Sequence, residues 1–248
     1  MKRRWMTLIG WMALFPALSF ADDVDAQLDA QLDAERESQT ATAITIIFDS
    51  SGSMDDRGKM VQAKAAFTQW LAEVPESYRL SLIAFDRGVA RLFVPFGDSN
   101  REAVLGVVKS IRPYGKTPLA GCLVLAGEGI EERRSEHSPY ERHVVIAFTD
   151  GKETVDRRKN AGVVEEIHRL RNHTVEVVGI GFHGEGDYME PAATSYFHAK
   201  DEKELLAGLS QVDAEIGDDS DIEVSEKDWK LISSTEIPIP APPAAQNP

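Results

Sequence analysis

Sulfur chemistry is nearly absent from this chain: Cys122 is its one cysteine. No intramolecular disulfide can form, and no cysteine follows the first apolar run as a lipid attachment point. An exported chain without disulfides suits a bacterial periplasm better than a eukaryotic exterior, where small modules are often cross-linked. Cys122 sits among Leu119, Leu123 and Ala126 at helical spacing and reads as a small buried hydrophobe. Positive charge is also scarce. The 27 Lys and Arg against 41 Asp and Glu leave a net −14, and no basic stripe offsets it, which argues against a nucleic-acid partner. The six histidines show no zinc-ligand pairing, and no Gly-x-Ser-x-Gly elbow for a serine hydrolase occurs. Gly115-Lys116-Thr117 resembles the end of a phosphate-binding loop, but Ser110 stands where that loop needs its first glycine. Gly151-Lys152 fails as well, because Glu153 follows. Asp218 to Glu226 is acidic but lacks the glycine and spacing of a calcium loop.

What the chain does have is enough apolar material for one sizeable core. Its 248 residues are 42% hydrophobic, which fits one domain of ordinary size plus tails. Residues 1–21 read as a secretory signal peptide: Lys2, Arg3 and Arg4, then the apolar run from Trp5 to Leu14, then Ser19-Phe20-Ala21 with small residues at the positions a signal peptidase reads. Cleavage there would start the mature chain at Asp22 and move its charge from −14 to −17, by removing those three bases. The alternative is an inner-membrane anchor through residues 5–21, at the lower edge of a spanning length. Residues 22–40 form an acidic spacer. Beyond residue 213 an acidic stretch passes into a proline-rich end, which predicts an extended or disordered tail over 213–248. Trp229, Leu231 and Ile232 are the bulky apolar residues in it.

Between these tails, from 41 to 212, apolar strands alternate with amphipathic helices. Ala43 to Phe48 begins the series. Met60, Ala63, Phe67, Trp70, Leu71 and Val74 mark a helix that Pro75 ends. Arg79–Phe85 and Val89–Phe96 are strands joined by Asp86-Arg87-Gly88, too short for anything but an antiparallel hairpin. Helices follow over Arg101–Ile111 and from Pro118 to Glu132, with a surface loop over Arg133–Arg142. Then come a strand at Val144–Phe148, a helix at Ala161–Arg171 and a strand at Val175–Ile180. A glycine-containing loop over Gly181–Glu190, a short strand at Tyr196–Ala199 and a closing helix at Asp201–Val212 complete the series. The alternation predicts an α/β fold with a mainly parallel six-stranded sheet, helices on both faces and one antiparallel edge strand.

The chemistry concentrates at the ends of two strands. Ile44-Thr45-Ile46-Ile47-Phe48 runs into Asp49-Ser50-Ser51-Gly52-Ser53, and ligands of open α/β sheets bind at the C-terminal ends of strands. Asp49, Ser51 and Ser53 are two residues apart, so an irregular loop can turn their oxygens to one point, and an all-oxygen donor set suits a hard cation. Taken alone, the same residues serve equally well as helix N-caps. Two further segments change that balance. The Val144–Phe148 strand delivers Thr149-Asp150-Gly151 in the same way, and Tyr114-Gly115-Lys116-Thr117-Pro118-Leu119 sets a threonine hydroxyl before a helix.

Together, Asp49-x-Ser51-x-Ser53, Thr117 in its Gly-x-Thr-Pro-Leu context and Thr149-Asp150-Gly151 resemble the von Willebrand factor type A domain family and its metal-ion-dependent adhesion site. The resemblance covers about residues 41 to 212. It implies a doubly wound, Rossmann-like sheet with the first and fourth strands adjacent. It implies direct coordination by Ser51 and Ser53, coordination by Thr117 that is direct in one state and through water in another, and Asp49 and Asp150 acting mostly through water. The implied cation is Mg²⁺, with Mn²⁺ or Ca²⁺ as alternatives. Neutral hydroxyls leave such a cation short of negative charge, and Mg²⁺ keeps an exchangeable position. The implied occupant is a Glu or Asp carboxylate of a protein partner. Lys116 departs from the small residue often found in relatives, and Asp55 and Asp56 add acid just past the motif. These features predict a non-enzymatic, exported protein-binding module, periplasmic or secreted. One alternative is a metal-assisted hydrolase acting on phosphate esters, which lacks a convincing general base here. Another is an accessory subunit of a moxR-type ATPase, which the export signal disfavours.

Overall fold

The computed structural model describes residues 42–97, 100–136, 141–183 and 187–217. The signal segment, the acidic spacer and the tail from 218 onward lie outside the described residues. Six strands form one sheet: β1 (Thr42–Phe48), β2 (Arg79–Asp86), β3 (Val89–Val94), β4 (Arg142–Thr149), β5 (Glu176–Phe182) and β6 (Ser195–Ala199). Among the described residues five α-helices accompany them: α1 (Lys59–Glu73), α2 (Arg101–Ser110), α3 (Leu119–Glu136), α4 (Asn160–Asn172) and α5 (Glu202–Gly217). The strand order is β3-β2-β1-β4-β5-β6. Only the β2–β3 pair is antiparallel. The chain therefore winds outward from β1 to one edge, returns to β4 and winds to the other, so the order reverses between β1 and β4. There the connections leave in opposite directions and open a crevice above the strand ends.

β1 is buried along its whole length, which explains why it reads as a continuous apolar run rather than an alternating one. Its side chains still alternate between two cores. Ile44, Ile46 and Phe48 join Leu82, Ile146 and Ile180 beneath Phe67, Trp70 and Leu71 of α1, Val104 and Val108 of α2, and Leu205 and Leu209 of α5. Ile47 joins Ile83, Val145 and Val177 on the other face, under Leu119, Cys122, Leu123 and Ala126 of α3 and Val163 and Ile167 of α4. Cys122 is fully buried. At the site end of the first core, the Phe48 and Phe148 rings lie tilted by 38° with centroids 5.5 Å apart, and Phe67 meets both edge-on at 5.1 and 5.4 Å. Each such pair adds about 0.5–1.5 kcal/mol to the burial of its surface. The aromatic floor holds the ends of β1 and β4 level.

Several boundaries differ from the sequence expectation, each for a tertiary reason. α3 runs on to Glu136 instead of ending at Glu132, because Arg133 is no loop residue: its guanidinium grips both oxygens of Glu141 and lies over the Phe96 ring. β3 stops at Val94, since Pro95 has no N–H to continue the ladder. β5 continues to Phe182, whose ring is buried against Phe148. A short 3₁₀ turn, Asp187–Met189, lies in the expected glycine-containing loop. α5 passes Val212 and reaches Gly217, because Ile216 is buried and its carbonyl accepts from Arg142 Nη1 at 3.0 Å.

Candidate metal centre

The parallel register of β1 and β4 sets Phe48 opposite Phe148, so the next residues of the two strands face each other across the crevice. Asp49 is fully buried. Its Oδ1 accepts the Ser51 backbone N–H at 2.7 Å, and its Oδ2 accepts Thr149 Oγ1 at 2.6 Å and the Asp150 N–H at 3.3 Å. Ser53 Oγ donates to Asp150 Oδ1 at 2.7 Å, and the Ser51 and Ser53 hydroxyls lie 3.0 Å apart. Thus Asp49, Ser51, Ser53 and Asp150 form one hydrogen-bonded cluster.

Thr117 reaches the same place from a third loop. A methyl group built on Gly151 would lie 3.8 Å from Ser53 Oγ and 3.9 Å from Thr117 Oγ1. Gly151 thus leaves a cradle between those hydroxyls that a side chain would fill. Ser51 and Thr117 are buried, whereas Ser53 and Gly151 are half-exposed, so the cluster opens to solvent on their side. Lys116, Asp55 and Asp56 are exposed at the rim.

Backbone contacts lock the three loops together. Ser50 Oγ donates to the Phe85 carbonyl at 2.8 Å and accepts the Phe85 N–H at 3.1 Å. The Ser50 carbonyl takes the Tyr114 N–H at 2.8 Å, and the Gly52 N–H donates to the Gly115 carbonyl at 3.0 Å. Gly115 has φ +86°, and a Cβ there would fall 3.0 Å from the Arg87 backbone. No other residue combines that conformation with that approach at low cost. Thr117 and Thr154 exchange two bonds, Thr117 N–H to Thr154 Oγ1 at 2.8 Å and Thr154 N–H to the Thr117 carbonyl at 3.1 Å. The buried Glu153 carboxylate accepts N–H groups of Ala120, Val155 and Asp156 at 2.8, 2.6 and 2.9 Å. It caps the start of α3, where the helix dipole favours an anion.

Thr149, Glu153, Thr154 and Lys59 are contributors that sequence reasoning did not assign. Thr149 and Glu153 flank Asp150 closely enough to have been suspected. Lys59 carries no local signal of its role: its ammonium sits 2.6 Å from Asp150 Oδ2.

Electrostatics show what the cluster lacks. Burial pushes the Asp49 carboxyl up to about 6, and the neighbouring Asp150 charge adds to the rise, against opposing hydrogen bonds from Ser51 and Thr149. The protein groups around Asp49 therefore compensate its charge incompletely, and a bound cation fits that deficit. Two carboxylates with three hydroxyls make an all-oxygen donor set of the kind hard divalent cations take. Among the described residues no group of three His, Cys, Asp or Glu side chains converges as a metal site, so any cation here relies on the hydroxyls. His183 lies close by, its imidazole held below its usual range by burial and by the charges of Lys59 and Arg57. The Cys122 thiol is raised far above its usual range by burial, then by Asp49 and Glu153, and is chemically quiet.

Comparison with known proteins agrees with this architecture. Residues 44–153 match the family model of the von Willebrand factor type A domain. A von Willebrand factor type A protein from Catenulispora acidiphila superposes with a TM-score of 0.60 at 20% identity, over 71% of this chain and 43% of that one. The vWF domain of the type V pili tip protein from Porphyromonas gingivalis gives 0.60 at 11% identity, over 73% of this chain and 96% of that one. Proximal thread matrix protein 1 from the mussel byssus, solved with a zinc-occupied MIDAS motif, gives 0.53 at 20% identity, over 77% and 51%. The chain thus spans less than half the length of the Catenulispora protein. Among curated proteins none matches this sequence. Residues 44–153 and the sheet that carries them are thus similar in sequence pattern and in fold to the von Willebrand factor type A domain.

Proposed function

We propose that this domain is a non-enzymatic adhesion module that binds a protein partner through a divalent cation, Mg²⁺ in the first instance. The observation that carries the reading is the meeting of Asp49 and Asp150 at the β1–β4 boundary, with three hydroxyls around them and an open side at Ser53 and Gly151. Asp49, Ser51, Ser53, Thr117 and Asp150 would hold the cation, which supplies a Lewis-acidic position for an anionic oxygen. The residues of the chain do the rest. Asp49 and Asp150 provide the negative charge, the hydroxyls provide neutral donors, and the bonds through Ser50, Gly115 and Thr154 keep the loops in place. Neutral hydroxyls leave the cation's charge only partly offset, so an acidic side chain of the partner is its natural complement. The strongly acidic chain, at −14 overall, would repel such a partner elsewhere, so the cation also restricts where it docks.

The zinc-occupied motif of the mussel protein and the pili tip protein of Porphyromonas gingivalis support a metal-dependent, cell-surface reading. We assign the site of action to the periplasm or the exterior, on the strength of the signal-like residues 1–21. No helix among the described residues is long and apolar enough to cross a membrane. The test is capture of partners from the native envelope by the full chain, in Mg²⁺ and in chelator. A partner retained only in Mg²⁺ supports the reading, and a partner retained equally in both removes it.

A further inference from the structure

The candidate centre contains a cation of the protein's own. Lys59 is the first residue of α1, just after Gly58, whose φ of +71° ends the 3₁₀ segment Gly52–Gly58 that precedes the helix. Its ammonium lies 2.6 Å from Asp150 Oδ2, and the two side chains are only 13% and 0% exposed. The other oxygen of the same carboxylate accepts Ser53 Oγ at 2.7 Å. Lys59 therefore reaches into the cluster and makes no mere surface pair. Its place on the helix argues the same way. A positive charge at a helix N-terminus opposes the helix dipole, and no acid lies in the first turn of α1 to offset it. The offset comes from Asp150, across 91 residues of chain.

The geometry points to Lys59 as an internal counter-cation of the centre, which a divalent ion displaces from Asp150 on loading. This inference rests on the metal reading above. Two buried acids and one ammonium leave a single net negative charge. A divalent ion entering beside the ammonium meets a like charge at the same carboxylate, whereas an ion that displaces it faces only the two acids. Loading is then an exchange of one cation for another, and the affinity is lower than the donor set alone would give. The unloaded domain, for its part, is spared two uncompensated carboxylates above its aromatic core.

Calorimetry with MgCl₂ on the full chain, on Lys59→Met and on Lys59→Arg tests this. Removing the like charge should tighten Mg²⁺ binding in Lys59→Met by about tenfold or more, while Lys59→Arg keeps the weak affinity of the unaltered chain. Without Mg²⁺, Lys59→Met should melt below the unaltered chain, and saturating Mg²⁺ should restore more of its stability. Equal affinities in all three proteins would overturn the proposal and leave the metal reading standing. No binding in any of them would remove both. A second measurement needs no destabilising variant. The Lys59 ammonium, assigned by its loss in Lys59→Arg, should give a slowly exchanging nitrogen-15 signal in metal-free protein that vanishes as Mg²⁺ is added. A signal unchanged at saturating Mg²⁺ would overturn the exchange.

Discussion

Thr149 Oγ1 donates a 2.6 Å hydrogen bond to Asp49 Oδ2, joining two residues 100 apart in sequence. Both stand at the C-terminal ends of adjacent parallel strands, and the bond holds the carboxylate that carries the most buried charge of the centre. Hydrogen bonds to charged groups contribute about 1.5–3 kcal/mol. Thr149→Val keeps the shape and deletes the donor, so it should lower stability by about that amount in urea unfolding. It should also raise the Asp49 carboxyl further. An unchanged unfolding midpoint would show that the bond is dispensable.

Asp49→Ala combined with Asp150→Ala should abolish Mg²⁺ binding in calorimetry while leaving the far-ultraviolet circular dichroism intact, because the sheet packs independently below the loops. In the unaltered chain a proton competes with the cation for Asp49. Its carboxyl is raised from 3.8 to about 6, so the metal-free fold holds that proton more tightly than the unfolded chain does. This contribution to stability is full below 3.8 and is lost as pH rises through about 6. Mg²⁺ affinity should accordingly fall as pH drops below about 6. Affinity that is flat from neutral pH down to 5 would place Asp49 outside the cation's reach.

Thr117→Ala removes one hydroxyl and adds no charge. It should weaken binding of an acidic partner more than it weakens binding of Mg²⁺, with little effect on stability, since Thr117 is fixed through its backbone N–H and carbonyl. Partner titrations at saturating Mg²⁺ decide this. Losses of equal size would make Thr117 an ordinary ligand with no separate part in partner capture.

His143 lies at the opposite end of β4, 1% exposed, with neither ring nitrogen hydrogen-bonded. Burial lowers its imidazole from 6.5 to about 4, with the charge of Arg134 next in effect. The unfolded chain therefore takes up a proton before the folded one, and stability is full above 6.5 and lost as pH falls toward 4. His143→Phe should remove this part of the acid sensitivity, gaining roughly 1–2 kcal/mol on the unaltered protein between pH 7 and pH 5. A pH-independent difference between the two would assign the acid response to other groups.

The sequence by itself determined the elements and the inventory of the centre. Apolar runs such as Ile44–Phe48 and Val144–Phe148 announce buried strands, Met60 to Leu71 announces a helix, and the short turn at Arg87-Gly88 allows only a hairpin. These are local signals, carried by burial and periodicity within a few residues. The hydroxyls and carboxylates at the strand ends are legible for the same reason. Tertiary structure alone decided what those groups touch. The register that sets Phe48 against Phe148 brings Thr149 to Asp49, and a shift by one residue would turn every side chain to the opposite face. The Glu153 and Thr154 contacts to the start of α3, the grip of Arg133 on Glu141 that lengthens that helix, and the reach of Lys59 to Asp150 all span loops whose paths no local pattern encodes. Such partners are chosen by which charges and unpaired backbone groups the packed sheet leaves buried side by side.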